Sequence, residues 1–151
     1  LGHQRFRPRA AALPPFEGLV GSVDVAYRVR GTTTFRAAFD RDLAYSYAAL
    51  EPYYIREGYG VSLRRQILPR LDVSAGGGRY WFRYRQLATT AGSETVRGRS
   101  DRLLNATLSL GFQVRRNTRL TTGVSYRDRR SDLVRRTYHS FSLGTSVVYG
   151  F

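Results

Sequence analysis

The chain has 151 residues and a formal net charge of +14, and all of its basic side chains except two histidines are arginine; there is no lysine, cysteine or methionine. No apolar run approaches the ~18 residues of a membrane-spanning helix, and without cysteine there is neither a disulfide framework nor a thiolate metal site. The length suits one domain spanning 1–151, and with no basic and then apolar leader at its start, Leu1 reads as the beginning of a mature or N-terminally incomplete chain. Arginine in place of lysine suits bidentate recognition of phosphate or carboxylate, although GC-rich codon usage accounts for the choice equally well.

In chain order, the apolar pattern has period two and not 3.6, which argues for strands. Leu1 to Arg7 is short and leads into a connection with Pro8, Pro14 and Pro15. Val23, Val25, Tyr27 and Val29 then alternate with Asp24, Ala26, Arg28 and Arg30. A tight turn at Arg30-Gly31-Thr32 leads to Phe35, Ala37 and Phe39, which oppose Arg36, Ala38 and Asp40. Residues 43–52 read as a longer connection ending at Pro52. Tyr59, Val61 and Leu63 follow, against Gly58, Gly60, Ser62 and Arg64, and Gln66 to Pro69 is a second tight turn. Leu71, Val73 and Ala75 begin a strand in which Gly76-Gly77-Gly78 reads as a bulge. A phase slip there would move Tyr80, Phe82 and Tyr84 to the apolar side.

After a loop over 86–99, Ala106, Leu108, Leu110, Phe112 and Val114 give the clearest alternation in the chain. A third tight turn, Arg116-Asn117-Thr118, leads to Leu120, Thr122, Val124 and Tyr126, and residues 129–136 form another loop. In the last strand Phe141, Leu143, Thr145, Val147, Tyr149 and Phe151 share one face, opposite Ser140, Ser142, Gly144, Ser146, Val148 and Gly150.

About eight long strands, each with an apolar face and a small or polar one, joined alternately by short turns and longer loops, read as an all-β, antiparallel up-and-down transmembrane barrel. The pattern places it in the bacterial outer membrane with the short turns and the C-terminus periplasmic. It also allows these strands to be a fragment of a larger barrel. Aromatic residues from Tyr45 to Tyr84, with Tyr126 and Tyr138, gather toward the outer strand ends, and Phe112, Tyr149 and Phe151 toward the inner ends, as two interfacial girdles require. The expected partners are outer-membrane lipid and lipopolysaccharide, the barrel-assembly machinery and other envelope proteins. Nucleic acid is not expected, because alternation separates arginines from aromatics onto opposite faces.

The terminal strand, with Phe141, Leu143, Val147, Tyr149 and Phe151, looks like the C-terminal signal by which such barrels are recognised for assembly. More narrowly, Thr33 to Phe39 with Arg41, Ser46 and Tyr53, the run Arg99 to Asp101, and Tyr126, Arg129, Ser131 and Tyr138 resemble a β-barrel porin family linked to exopolysaccharide and exosortase gene clusters. The resemblance covers roughly residues 17–151. It implies a porin-like barrel serving surface polysaccharide export or the passage of anionic solutes, in a family whose members usually carry further N-terminal strands. The alternative is a small barrel filled by its own side chains, with a structural or anchoring role.

Catalytic, metal and cofactor sites are not expected. His139 shares a face with Phe141, whereas Ser140 and Ser142 point to the other side, so no hydrogen-bonded His–Ser pair forms. The informative residues are charged. Arg28, Arg36, Arg64, Arg115 and Arg127 fall on the polar, lumen-facing side. Arg97, Arg99, Asp101, Arg102, Asp128, Arg129, Arg130 and Asp132 crowd the outer strand ends. This rim reads in three ways: as an arginine–aspartate network, as a site for lipopolysaccharide phosphates, or as a cationic lining for an anionic solute.

Overall fold

The computed structural model describes residues 2–7, 15–48, 51–85 and 98–150. They form one antiparallel sheet of eight strands in sequence order: β1 (Gly2–Phe6), β2 (Phe16–Val29), β3 (Thr33–Ala48), β4 (Glu51–Leu68), β5 (Leu71–Arg85), β6 (Ser100–Arg115), β7 (Thr118–Ser131) and β8 (Tyr138–Tyr149). The only helical segment among them is a 3-10 turn at Val134–Arg136. Among the described residues no helix is long and apolar enough to cross a membrane. Each strand from β2 onward meets or exceeds the roughly 9–11 residues that a tilted strand needs to span a bilayer. The sheet is not closed: β1 and β8 are its two ends and do not pair with each other.

Short turns lie at one end of the sheet. At the first, Arg30 and Gly31 both have positive φ, 48° and 71°, the backbone that a tight hairpin matching the sheet's twist requires. The connections to the opposite end differ from the sequence expectation at residues 43–52. There β3 runs on to Ala48 and β4 starts at Glu51, so most of that segment is paired, with a register shift between Tyr45 and Ala48. At the same end Phe16 packs with Leu43, Tyr53 and Ile55, with Phe6 and Val20 against them. Phe6 meets Tyr45 and Tyr53 edge-on at 6.5 and 5.8 Å. Gly21, with φ 145°, lies between this cap and the regular part of β2.

Pairing fixes which side chains share a face, since directly opposed residues point the same way. Taking the pairs across the sheet, Tyr27, Phe35, Leu63, Ala75, Leu108, Val124 and Leu143 form one row, and Val25, Ala37, Val61, Gly77, Ala106, Tyr126 and Phe141 the next. These large side chains are exposed: Leu143 by 71%, Val61 by 63% and Val25 by 58%. An apolar surface this continuous demands a nonaqueous neighbour. On β8 it runs from His139 to Tyr149, ten residue steps, or about 33 Å along the strand. At a barrel tilt of about 40° that is about 25 Å of height, the thickness of an outer-membrane apolar band. Arg65, opposite Thr33 and Val73, lies within these rows near the lower margin, and Arg79 and Asp128 share the uppermost row with His139.

The other face carries Ser62, Ser74, Gly76, Gly78, Thr107, Ser109, Gly123, Ser125, Ser140 and Ser142 in its middle. The hydroxyls of Ser74 and Ser109, and of Ser125 and Ser142, hydrogen-bond across the strands at 2.7 Å. Here the expected slip at Gly76–Gly78 is overturned: β5 stays in register with β4 from Tyr53–Arg85 to Gln66–Asp72, and with β6 from Leu71 to Arg83. Tyr80, Phe82 and Tyr84 therefore share the polar face with Asp72 and Ser74, while Arg79, Trp81 and Arg83 turn to the apolar face. The glycines leave room for these rings. A Cβ on Gly58 would sit 2.2 Å from Cδ1 of Tyr80.

Gly58→Ala is accordingly expected to cost about 1–3 kcal/mol by forcing Tyr80 aside. Most of that cost should be recovered in a Tyr80→Ala background. Denaturant unfolding from lipid vesicles, followed by Trp81 fluorescence, measures both. An equal cost in the two backgrounds would mean that Tyr80 does not face Gly58.

Candidate functional site

The polar face has two charged tiers separated by the small-residue zone. The lower tier, beside the short turns, centres on Asp72 at the start of β5. Arg119 of β7 donates from Nη2 to both carboxylate oxygens of Asp72, at 2.7 and 2.6 Å, and Arg64 of β4 donates from Nε at 3.1 Å. Gly111 makes this possible, since a Cβ there would lie 2.1 Å from Nη2 of Arg119. Around the trio lies an open basin of about 420 Å³ whose lining includes Arg28, Arg70, Gln66 and Gln113. Four arginines and one carboxylate line it. Arg28 and Arg70 make no ion pair among the described residues. The basin is thus cationic, water-accessible and rich in planar donors, the chemistry that attracts carboxylates, sulfates and phosphates.

The upper tier lies by the longer connections. Asp101 of β6 is fully buried, at 0% exposure. It accepts a hydrogen bond from Arg129 Nη2 at 2.5 Å, a short one from the Ser131 hydroxyl, and faces Arg99 Nε at 3.2 Å. Arg99, itself 4% exposed, reaches Glu51 Oε2 through Nη1 at 2.5 Å and lies 3.4 Å from the centroid of the Tyr84 ring. Tyr54 packs on Tyr84 and Phe82 at 5.0 and 5.8 Å, and the Arg129 guanidinium lies over Phe82 at 5.5 Å. Two carboxylates thus neutralise two guanidiniums in an aromatic box. Such a network ties β4, β5, β6 and β7 together and leaves no net charge to hold a solute.

The residues singled out from sequence now sort by position. Arg28, Arg36, Arg64 and Arg127 share the polar face through the pairs Ala26–Arg36, Arg36–Ser62, Ser74–Ser109 and Asn105–Arg127, with Arg36 next to Asp24 at 3.3 Å. Arg115 does not join them. It lies past a register shift and pairs with Thr118, outside the basin. The rim cluster splits by strand pleat: Arg99, Asp101 and Arg129 turn to the polar face, whereas Arg102, Asp128 and Arg130 turn to the apolar one. Asp132 accepts the backbone N–H of Ser100 at 2.9 Å, and Arg97 lies outside the described residues.

Phe141, Leu143, Val147 and Tyr149 line the outward face of β8, each exposed, and Phe151 falls outside the described residues. His139 stands opposite Asp128, on the other face from Ser140 and Ser142. The expectation that arginines and aromatics would keep to opposite faces fails at the upper end, where Tyr54, Phe82 and Tyr84 surround Arg99 and Arg129. Asp72 falls on the inward face as a partner for arginines such as Arg64, but Arg119 and Arg70 were not legible as part of a site. The bond between Arg119 and Asp72 depends on a contact between β5 and β7 across β6, which no local spacing announces.

An up-and-down sheet with an exposed apolar band on one side and a small, polar, charge-studded surface on the other is the wall of a β-barrel. The chain belongs to the family described as Putative beta-barrel porin 2, whose model matches residues 1–151. No curated protein and no solved structure matches it.

Replacing Asp101 by Asn should destabilise the sheet by about 3–5 kcal/mol, because the half-buried Arg129 would lose its counter-charge and the buried Arg99 would keep only Glu51. Asp132→Asn, at an exposed position, should stay within about 1 kcal/mol. Thermal unfolding of the two variants in the same detergent compares them directly.

Proposed function

We propose that the polar face lines a water-filled passage through the bacterial outer membrane that favours anionic solutes, acidic polysaccharide among them. The observation that carries this reading is the basin beside the short turns, where Arg28, Arg64, Arg70 and Arg119 surround the single carboxylate of Asp72. A ring of fixed positive charge in a low-dielectric wall concentrates anions and repels cations. The serines, threonines and glycines between the two tiers keep the path polar and unobstructed. The short turns and the end of β8 are assigned to the periplasmic side, as in barrels that keep their longer loops outside. No step in this function calls for a cofactor or for catalysis.

Passage also requires a closed wall. The backbone groups along the free edges of β8, of β1 and of β2 beyond its pairing with β1 need partners once the sheet is in hydrocarbon, and the number of strands that meet them sets the bore. Eight strands alone give a lumen that side chains nearly fill, whereas a wider barrel conducts. The filled, anchoring barrel is therefore the outcome that conductance would reveal.

The test is planar-bilayer recording of the purified protein under a salt gradient. The expected result is discrete conductance with a reversal potential showing anion preference, and loss of most of that preference when Arg28 and Arg70, the basin's unpaired arginines, are both replaced by Ser. Conductance with unchanged selectivity would reject the basin as the filter. Absence of conductance from correctly folded protein would favour the anchor.

A further inference from the structure

On the outward face the rows change character abruptly above Leu104. The next level holds Trp81 of β5, Arg102 of β6 and Arg130 of β7, directly opposed in that order across the strands. One step below, Arg79 stands opposite Leu104, and Leu104 opposite Asp128. Arg79, Arg102, Leu104, Asp128 and Arg130 line a shallow cleft on this surface, and a second cleft above it is lined by Trp81, Ser100, Arg102, Arg130, Ser131 and Asp132.

Three features need an explanation. First, like charges directly opposite on adjacent antiparallel strands repel, yet Arg102 and Arg130 are such a pair. Second, the two carboxylates of these clefts are already engaged: Asp132 accepts the backbone N–H of Ser100 at 2.9 Å. Asp128 takes only Arg130, through Nε at 3.2 Å, and Arg79 and Arg102 make no ion pair among the described residues. Third, the site faces outward, away from the basin, at the upper margin of a surface that must meet lipid tails. An arginine here keeps its stem on the apolar rows and its guanidinium at the interface, within reach of water and of headgroup anions. Trp81, tilted against Tyr59 at 5.7 Å, marks the same level, since indole rings settle at the headgroup boundary.

We propose that Arg79, Arg102 and Arg130, flanked by Trp81, form a clamp for the phosphate of a membrane lipid headgroup, with the acyl chains of that lipid lying down the apolar rows of Leu104, Leu108 and Leu110. Guanidinium forks match phosphate oxygens in geometry and in charge, and an anion between Arg102 and Arg130 turns their repulsion into a bridge. The inference rests on the membrane reading of the apolar face and is independent of conduction. A lipid is the occupant favoured over free phosphate because the cleft opens directly onto the apolar rows, so only a ligand with both phosphate and chains fills both.

Trp81 is the sole tryptophan, so its fluorescence reports on the site without labelling. The purified full chain is first mixed with pure phosphatidylcholine vesicles and floated on a density gradient. Failure to float, in protein shown to be folded, would reject the membrane reading itself. Floating protein in mixed detergent micelles is then titrated with diphosphorylated lipid A, with its dephosphorylated form, and with inorganic phosphate.

The expected result is a saturable change in Trp81 emission with the phosphorylated lipid, weaker by about tenfold or more with the dephosphorylated one. The Arg79→Ser, Arg102→Ser, Arg130→Ser triple variant should lose that difference while still floating. Equal responses to the two lipids would overturn the proposal, and so would an equal response to inorganic phosphate, which would mark a free-anion site. Because the phosphate comparison is made on the unaltered protein, misfolding of the triple variant would not rescue the idea.

Discussion

Everything in this molecule depends on the hydrogen-bond ladder between neighbouring strands. In hydrocarbon no water can satisfy a backbone N–H or C=O, so the chain must pair each strand along nearly its whole length. That pairing leaves side chains no freedom but to alternate. From β3 to β8 the ladders run with register shifts only near strand ends, at Tyr45/Ala48, Gln66/Leu68 and Gln113/Arg115. Between those shifts one residue step decides whether a side chain meets lipid or water. The separation of Leu108 from Thr107, or of Arg102 from Asp101, is thus a property of the ladder before it is a property of the residues.

This constraint explains what the glycines do. A bulge at Gly76–Gly78 would break the ladder in mid-membrane and orphan backbone groups there, and the structure keeps the register instead. The glycines act sterically. Gly58 yields its side-chain volume to the Tyr80 ring, and Gly111 yields its own to the Arg119 guanidinium. Large inward groups are accommodated because a neighbour on the adjoining strand has none, as in the alternating large and small interiors of barrels.

The same reasoning shows what was legible beforehand. The strands, the tight turns and the outward rows could be read from alternation, because the middle stretches of β6, β7 and β8 are mostly apolar at every second position. In β5 the inward positions are aromatic and the outward ones include Arg79 and Arg83, so hydropathy pointed to the wrong face, and a slip was inferred where none exists. Only the pairing partners of β5 correct this. The rim cluster divides for a related reason: Arg99, Asp101 and Arg129 do form an arginine–aspartate network, but the pleat sends Arg102, their neighbour in sequence, to the other face. Asp72 and Arg119, 47 positions apart, share a bond that only the assembled sheet brings about.

The charge excess then acquires a spatial logic. With 11 acids against 25 arginines, carboxylates must be shared. The two most enclosed aspartates each serve two guanidiniums, Asp72 those of Arg64 and Arg119, and Asp101 those of Arg99 and Arg129. Around Asp101 the aromatic box and Glu51 complete the neutralisation, so the charge there works as a structural clasp. Around Asp72 the extra arginines open onto water, and on the outer surface Arg79 and Arg102 stand at the edge of the apolar rows. Arginine can occupy all three settings because its fork makes the most of a shared carboxylate, its flat face lies on an aromatic ring, and its stem crosses an apolar margin. Lysine, a strongly hydrated point charge, suits none of them as well. Which arginines are spent on the fold and which face outward to a ligand is therefore decided by the few positions at which an acidic residue falls on the same face of the pleat.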